Sequence, residues 1–447
     1  MKHSHDIPSA FKHEFADPRL WWTRAVVVGM AAVAGLVVVG FTWLAEEALD
    51  LFHFFNAKAW WFTLLWTPVC AAVLVWLTRR YAIGAAGSGI PQVMAALDPA
   101  VAAGQRPLYV SLKLSAAKIA LTAGGLLGGL SLGREGPSVQ IAAGVMLAAR
   151  RWLPRQAQVS AHSLLVAGGA AGIAAAFNTP LAGVMFAIEE LSRSPEQRNS
   201  GLIVAGIVLA GMMAVSINGN ATHFGVIHPG PIGLALMLPG LLVTLVAGVA
   251  GGLFARLLLA SSRGNPLGRL SSWRGKRPVL FALVCGLAVA VIGVASHGAT
   301  FGSGTVATRA MLDGAADVPP AFVAVKYVAT WLTVWSGVPA GIFAPSLAIG
   351  AGIGHDIALL LHYPHAPALI ALGMVGFLAA ATQAPLTAFI IVMEMVDGHG
   401  MVLSLMACAV VASTVSGVLS EPLYGALAQL QLQRLPAPVP APAPATS

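Results

Sequence analysis

The chain has 447 residues, of which 57% are hydrophobic and only 9% charged, and it contains 49 glycines. Its mean hydropathy of +0.80 is far above that of a soluble protein of this length, so the composition predicts a polytopic membrane protein. The net charge of +8 does not indicate nucleic-acid binding, because the basic residues form short clusters between apolar runs, as in cytoplasmic loops of membrane proteins.

Residues 1–20 are polar and rich in histidine, and we interpret them as a cytoplasmic N-terminal segment. The apolar run 25–45 gives roughly 30 Å of helix, which matches one hydrocarbon core. Further apolar segments predict helices of unequal length, at 60–77, up to about 97, and at 108–132, 202–217, 233–259, 279–295, 322–335, 366–381 and 401–419.

Three apolar segments that begin at Gly/Pro breaks are too short to span a bilayer: 137–147, 180–191 and 385–395. Half-length helices are tolerated at membrane depth only inside protein or beside a watery vestibule. The chain closes with a predicted inner-face helix at 421–434 and a proline-rich tail at 435–447, which we expect to be disordered.

The most unusual stretch is Gly-Arg-Glu-Gly-Pro-Ser at 133–138, which places Arg134 and Glu135 within a very apolar region. A carboxylate there is unfavourable unless another group stabilises its charge. Because Pro137 suits the first turn of a helix, we expect Glu135 to lie against free N–H groups at a helix start. Such a site can bind a free anion instead, and that exchange is our functional hypothesis. The alternative is a carboxylate that caps the helix permanently.

The same pattern recurs in the second half of the chain. Residues 133–144 match 341–352 at an offset of 208, and 174–181 match 379–386 at an offset of 205. Two motifs that repeat in order at nearly one offset predict two structural halves, each with an interrupted helix. Many transporters build an ion site from such repeats, so we expect the two helix starts to lie near each other. We place the repeats at about 21–218 and 232–420, within one transmembrane domain at 21–434.

Four short motifs occur together: Gly-Ser-Gly-Ile-Pro at 87–91, Gly-Arg-Glu-Gly-Pro at 133–137, Gly-Ile-Phe-Ala-Pro at 341–345, and Pro-Leu-Tyr ending at Tyr424. In these motifs and their order the chain resembles the CLC family of chloride channels and proton-coupled chloride transporters, over about residues 25–434. The resemblance implies an all-α polytopic membrane protein with two inverted repeats, whose broken, tilted helices meet at a mid-membrane anion site. It also implies a homodimer with one pathway per subunit, of prokaryotic type, in the bacterial inner membrane with both termini in the cytoplasm.

The resemblance implies a chloride site made of hydroxyls and backbone N–H groups. Its members would be Gly87, Ser88, Gly89, Gly341, Ile342, Phe343 and Tyr424. Neutral donors suit transport, because a full lysine or arginine ligand would bind the ion too tightly to release it. The residues alone leave other interpretations open: Ser88 as a helix cap, Ile342 and Phe343 as a packed turn, and Tyr424 as an interfacial aromatic. Within the family, serine at position 88 implies a preference for chloride over nitrate.

For proton movement, the resemblance implies that Glu135 is both the gate and the extracellular proton carrier, and that Glu190 transfers protons on the intracellular side. Without the resemblance, Glu190 would only mark the helix exit into water. An acid at this position favours a chloride/proton exchanger, and a passive voltage- or pH-gated chloride channel of the same fold remains the alternative. Arg134 and Lys118 are interpreted as supporting residues, with Lys118 either paired with Glu190 or neutral.

Glu189 and its counterpart in the second repeat, Glu394, are interpreted as structural. Other classes fit less well. The segment 129–133 matches Gly-x-Ser-x-Gly, but it lacks the strand-to-helix turn that a hydrolase requires. A cation carrier would need acidic residues at the helix breaks. We therefore expect a protein that is not an enzyme and has no metal and no cofactor, with chloride, protons and the lipid bilayer as its partners.

Overall fold

The computed structural model describes residues 18–154, 157, 159–192, 200–219, 222–227, 233–264, 268–314, 318–319 and 321–433. Nearly all of the predicted N-terminal segment and the whole of the proline-rich tail lie outside the described residues. The described parts contain 18 α-helices and no β-strand. The prediction of an all-α membrane fold is confirmed.

Eight helices form the first half, and α7 continues into a π-helical turn at Ala187–Leu191. They are α1 (Pro18–Lys58), α2 (Trp60–Tyr81), α3 (Ile90–Leu97), α4 (Leu112–Leu127), α5 (Glu135–Ala148), α6 (Ala161–Phe177), α7 (Pro180–Phe186) and α8 (Ser200–Asn218).

Ten helices form the second half. They are α9 (Leu234–Arg263), α10 (Gly268–Lys276), α11 (Pro278–Ala295), α12 (Thr305–Leu312), α13 (Phe322–Ser336), α14 (Phe343–Leu360), α15 (Ala366–Thr382), α16 (Pro385–Met395), α17 (Val402–Leu419) and α18 (Leu423–Leu432).

Several predicted bounds need correction. Helix α1 continues past the acidic pair at 46–47 to Lys58, so its 41 residues extend about 60 Å, twice the thickness of a hydrocarbon core. The predicted segment 108–132 is helical only over Leu112–Leu127, because positive φ at Gly129 interrupts it. Helices α6, α10 and α12 were not predicted. Helix α6 is buried on all sides, so its sequence has no amphipathic period to reveal it.

The two halves share the same local backbone features at corresponding positions. Helices α3 and α12 both have eight residues, and both follow a glycine with positive φ, Gly89 (114°) and Gly304 (87°). Helices α6 and α15 both have 17 residues and end in a left-handed cap with a φ of 59°, at Asn178 and Gln383. Such repetition of unusual backbone conformations indicates one fold used twice.

Small residues allow the central helices to pack closely, as is usual in membranes. A Cβ atom at Gly350 of α14 would overlap the carbonyl oxygen of Gly373 on α15. In the first half, a Cβ atom at Gly172 of α6 would overlap the backbone of Ser138 on α5. These close contacts hold α5 and α14 at the centre of the molecule, where most of their side chains are buried.

Seven helices of the described chain are long and apolar enough to cross a membrane, by length and composition. Outward-facing apolar side chains such as Leu65, Leu238 and Val418 are 65%, 76% and 86% exposed, as expected of surfaces that meet lipid. The chain is therefore an integral, multi-pass membrane protein.

Candidate functional site

The starts of α5 and α14 are joined by a short backbone pairing. Gly133 donates to the carbonyl of Gly341 at 2.8 Å, and Gly341 donates back to the carbonyl of Gly133 at 3.2 Å. Both positions require glycine, because a Cβ atom at Gly341 would overlap the carbonyl of Gly133 and a Cβ atom at Gly133 would overlap the Glu135 carboxylate. The prediction that the two interrupted helices begin next to each other is confirmed by this pairing.

The carboxylate of Glu135 lies between these helix starts. Its Oε2 accepts a hydrogen bond from the N–H of Ala344 at 3.4 Å, and the backbone N–H groups of Arg134 and Glu135 also face the carboxylate. The side chain of Glu135 is only 4% exposed. A single buried carboxylate therefore accepts from the N-termini of both halves, where helix dipoles favour a negative charge.

Next to Glu135, the turn before α3 holds Ser88 against the start of α5. A Cβ atom at Gly136 would overlap Ser88 Oγ, which places this hydroxyl directly over the backbone of α5. Gly87 (φ 80°) and Gly89 (φ 114°) give the turn its left-handed backbone. Ser88 Oγ is buried, and it has no hydrogen bond of acceptable geometry within the described residues.

Two side chains hold this turn from behind. The ammonium group of Lys118 donates to the carbonyls of Ala85 (2.8 Å) and Gly87 (2.5 Å), and Lys118 is fully buried. Gln92 accepts from the N–H of Gly89 at 2.9 Å and donates to the carbonyl of Ala86. Of the two expected arrangements for Lys118, pairing with Glu190 is therefore not observed.

Tyr424, at the start of α18, completes the cluster. Its ring stacks on Phe343 with a centroid distance of 5.9 Å and an interplanar angle of 11°, and it is 1% exposed. The Tyr424 hydroxyl is buried beside the Ser88 hydroxyl, with the Glu190 and Glu135 carboxyl groups nearby, and it makes no hydrogen bond of good geometry within the described residues. The interpretation of Tyr424 as an interfacial aromatic is therefore wrong.

The backbone N–H groups of Ile342 and Phe343 have no protein acceptor within the described parts of the chain. Both side chains are buried, Ile342 at 3% and Phe343 at 2% exposure. Buried side chains and unpaired N–H groups therefore occur together at these two residues, directly before Ala344, whose N–H donates to Glu135. Two free N–H donors and two buried hydroxyls fit a small monovalent anion.

Glu190 lies on the π-helical turn that follows α7, and it is 7% exposed. Such turns occur frequently at functional sites. Its neighbour Glu189 points elsewhere and accepts from the N–H groups of Leu386 (2.9 Å) and Thr387 (2.7 Å) at the start of α16.

The Glu394 carboxylate of α16 accepts hydrogen bonds from the backbone N–H groups of Ala182 (2.9 Å) and Leu181 (3.3 Å) at the start of α7. Glu189 and Glu394 therefore cap each other's helices across the two halves.

One buried residue near the site, Lys326, was not predicted from the sequence. Lys326 is fully buried and donates to the carbonyls of Thr300 (3.0 Å) and Gly302 (2.8 Å), just as Lys118 donates in the first half. The sequence repeat could have identified Lys326. It follows Lys118 by 208 residues, the offset of the first repeated motif, and Gly-Ser-Gly occurs at both 87–89 and 302–304.

A bundle of membrane-crossing helices, with two interrupted helices that direct their N-termini at one buried carboxylate, defines a protein that binds or moves ions within the membrane. The family described as the voltage gated chloride channel family matches residues 70–417 of the sequence. The chain belongs to this family, the CLC channels and transporters.

Similar solved structures share the fold. A slow cyanobacterial Cl⁻/H⁺ antiporter matches with a TM-score of 0.78 and 24% identity, covering 94% of this chain and 99% of that one. A CLC-type fluoride/proton antiporter matches with a TM-score of 0.76 and 22% identity, covering 91% of this chain and 97% of that one. A eukaryotic CLC transporter matches with a TM-score of 0.73 and 18% identity, covering 92% of this chain and 74% of that one.

Proposed function

We propose that this protein is a secondary active transporter that exchanges chloride for protons, with Glu135 as a gate that competes with the anion. The observation that carries the proposal is the position of the Glu135 carboxylate, which accepts from Ala344 between the two paired helix starts. An ionised carboxylate at this place is bound where an anion would be bound. A protonated one loses its charge and its attraction to the N–H groups, so it can leave the cradle to the anion.

The anion would be bound by the groups that lack strong protein partners. The hydroxyls of Ser88 and Tyr424 can both donate, and so can the N–H groups of Ile342 and Phe343. Lys118 would hold the Ser88 turn in place rather than bind the ion, because its Nζ donates to the carbonyls of Ala85 and Gly87. Such a site can bind a dehydrated anion and still release it.

Exchange, rather than passive conduction, is supported by a second buried carboxylate. Glu190 and Glu135 are both electrostatic neighbours of the Tyr424 hydroxyl, so the anion site is flanked by two titratable groups. Glu190 would take protons from one side of the membrane and Glu135 from the other. A cyanobacterial Cl⁻/H⁺ antiporter and a fluoride/proton antiporter share this fold, so the fold is compatible with exchange.

The remaining assignments follow from the family. We propose a homodimer with one pathway per subunit, in a bacterial inner membrane, with both termini in the cytoplasm.

The test is transport in proteoliposomes that contain the full chain. An imposed chloride gradient is expected to drive protons uphill, and Glu135→Gln is expected to retain chloride flux while losing proton movement and the response of chloride flux to pH. Glu190→Gln is expected to lose proton movement and keep the pH response of chloride flux, because Glu135 remains. Chloride flux without uphill proton movement in the unmodified protein would identify a channel. Fluoride flux without chloride flux would correct the substrate.

A further inference from the structure

A strongly basic segment outside the candidate anion site joins α9 to α11. Residues 261–278 contain four arginines, one lysine and no acidic residue, in a chain whose net charge is only +8. The helices on both sides of the segment are long and apolar enough to cross a membrane, so the segment lies at a membrane surface. Basic residues at such a surface are attracted to anionic lipid headgroups.

Helix α10, within this segment, is fixed to the rest of the protein. Arg274 donates to the carbonyl of Ser261, near the end of α9, at 3.0 Å. The ring of Trp273 packs edge-on against that of Phe281 on α11, with a centroid distance of 5.4 Å. The N–H of Arg277 donates to the carbonyl of Trp273 at 2.8 Å, so α10 turns directly into α11. The cations of α10 are therefore held at defined positions.

Aromatic side chains extend this contact to α13. Phe281 packs edge-on against Trp335 at 4.8 Å, and Trp335 stacks on Trp331 at 4.9 Å. Trp331 Nε1 donates to Ser261 Oγ at 2.9 Å. Tryptophan is enriched where a membrane protein meets the lipid headgroups. The three tryptophans, with Trp273 as the third, therefore place α10 at the level of the headgroups.

Three cations of the segment face outward. Arg269 and Lys276 lie seven residues apart on one face of α10, and both are exposed, as is Arg277 at the start of α11. Within the described residues, none of these three forms an ion pair. Arg263 differs from them, because Glu421 pairs with it at 2.7 Å. The outward face of α10 and Arg277 thus carries a positive charge that the described chain does not neutralise.

An apolar stripe on α11 continues from Arg277 toward the centre of the membrane. The stripe lies on the same helix face as Arg277, at helical spacing, and its members are all exposed: Leu280, Val284, Leu287 and Val291. A phospholipid has the matching pattern, because its charged phosphate lies directly above its apolar acyl chains.

We propose that α10 and the outward face of α11 bind an anionic phospholipid. Arg269, Lys276 and Arg277 attract its headgroup, and the apolar stripe contacts its acyl chains. A soluble phosphate would use only the cations, whereas a phospholipid uses both parts of the surface. Each cation near an anionic membrane surface strengthens binding about fivefold, so replacing all three with glutamine should weaken it about ten- to a hundredfold at low ionic strength. We call that protein the α10 triple variant.

A matched control variant replaces Arg79, Arg80 and Arg151 with glutamine. These arginines are exposed and lie in two other basic clusters between apolar runs, so the control variant loses the same charge as the α10 triple variant. None of them belongs to α10 or α11. The comparison therefore separates a defined lipid site from the general attraction of a basic protein to anionic lipid.

The experiment measures lipid binding to the purified full chain in nonionic detergent by native mass spectrometry. Phosphatidylglycerol is the probe, and phosphatidylcholine with the same acyl chains is the neutral reference. The unmodified chain should bind phosphatidylglycerol more tightly, with one high-affinity site per subunit that weakens as salt is raised. The α10 triple variant should lose about ten- to a hundredfold in affinity for phosphatidylglycerol, and the control variant should stay within about twofold. Circular dichroism verifies that both variants keep their helix content.

Equal affinity of the unmodified chain for the two lipids would overturn this inference. Equal losses in the α10 triple variant and the control variant would overturn it as well, because the attraction would not be local. Displacement of phosphatidylglycerol by inorganic phosphate at the same concentration would identify a site for a soluble anion instead. The measurement involves no ion transport, so its failure would leave the proposed function intact, and a failure of the proposed function would leave the lipid site intact.

Discussion

The reciprocal caps formed by Glu189 and Glu394 allow a quantitative prediction. Each carboxylate accepts two N–H groups at the start of the other half's helix, at 2.7 and 2.9 Å for Glu189 and at 2.9 and 3.3 Å for Glu394. A Glu→Gln substitution keeps one acceptor oxygen but removes the negative charge. Its side-chain NH₂ group, which cannot accept, would then face the second backbone N–H. A charged cap contributes about 1–2 kcal/mol in a partly buried position. We therefore expect Glu189→Gln to cost about 2 kcal/mol and Glu394→Gln, with its longer bond, about 1 kcal/mol.

The free energy of unfolding would be measured in detergent by denaturant titration, with circular dichroism as the signal and at one protein concentration. Glu47→Gln is the control, because Glu47 is an exposed carboxylate on α1 that contacts no helix start. It should change the free energy of unfolding by less than about 0.5 kcal/mol. The double variant reports whether the two caps are independent, since α7 and α16 are in contact.

If Glu189→Gln and Glu394→Gln both matched Glu47→Gln, the two caps would not stabilise the protein. A loss in the double variant that equals the larger single loss would show instead that the two caps act as one unit. The order of the two single effects is also a test, since the shorter hydrogen bonds of Glu189 predict that it matters more.

Two further predictions concern packing and the Ser88 turn. Gly350→Ala should destabilise the protein by about 1–3 kcal/mol, because its methyl group would overlap the backbone of α15. Gly275→Ala is the control, and it should be neutral or slightly stabilising because the space around Gly275 is open. Denaturant titration would compare the free energies of unfolding of the two variants. Lys118→Met should leave two buried carbonyls without a donor, which costs about 2–4 kcal/mol in the free energy of unfolding and loosens the turn that holds Ser88. Chloride binding by calorimetry should weaken in parallel, and unchanged affinity and stability would show that the ammonium group is dispensable.

Much of the fold could be predicted from sequence. The apolar composition, the Gly/Pro breaks and the repeated motif indicated a membrane protein of two similar halves with interrupted helices, and helix α16 was predicted with its observed bounds. Predictions failed where the pattern is uniform. Helix α6 is apolar on every face, and the end of α4 is decided by the left-handed backbone at Gly129, which packs against Phe52.

The site itself was only partly accessible in this way. Glu135 could be argued from its own surroundings in sequence, because a lone carboxylate in an apolar stretch needs a helix start. Tyr424 could not, since nothing near it in sequence distinguishes it from an interfacial aromatic. Its position against Phe343 depends on α18 returning to the helix starts from the far end of the chain.

By itself, the amino-acid sequence determined where helices break and which segments repeat, because those properties depend on glycine, proline and local hydrophobicity. Which groups come to lie against those breaks depends on how the helices pack in three dimensions. This packing joined Gly133 to Gly341, placed the Glu135 carboxylate on the N–H of Ala344, and gave Glu189 and Glu394 each other's helix starts. These contacts join residues far apart in the chain, and hydrogen bonds and charges depend on distance in space, which no local pattern specifies.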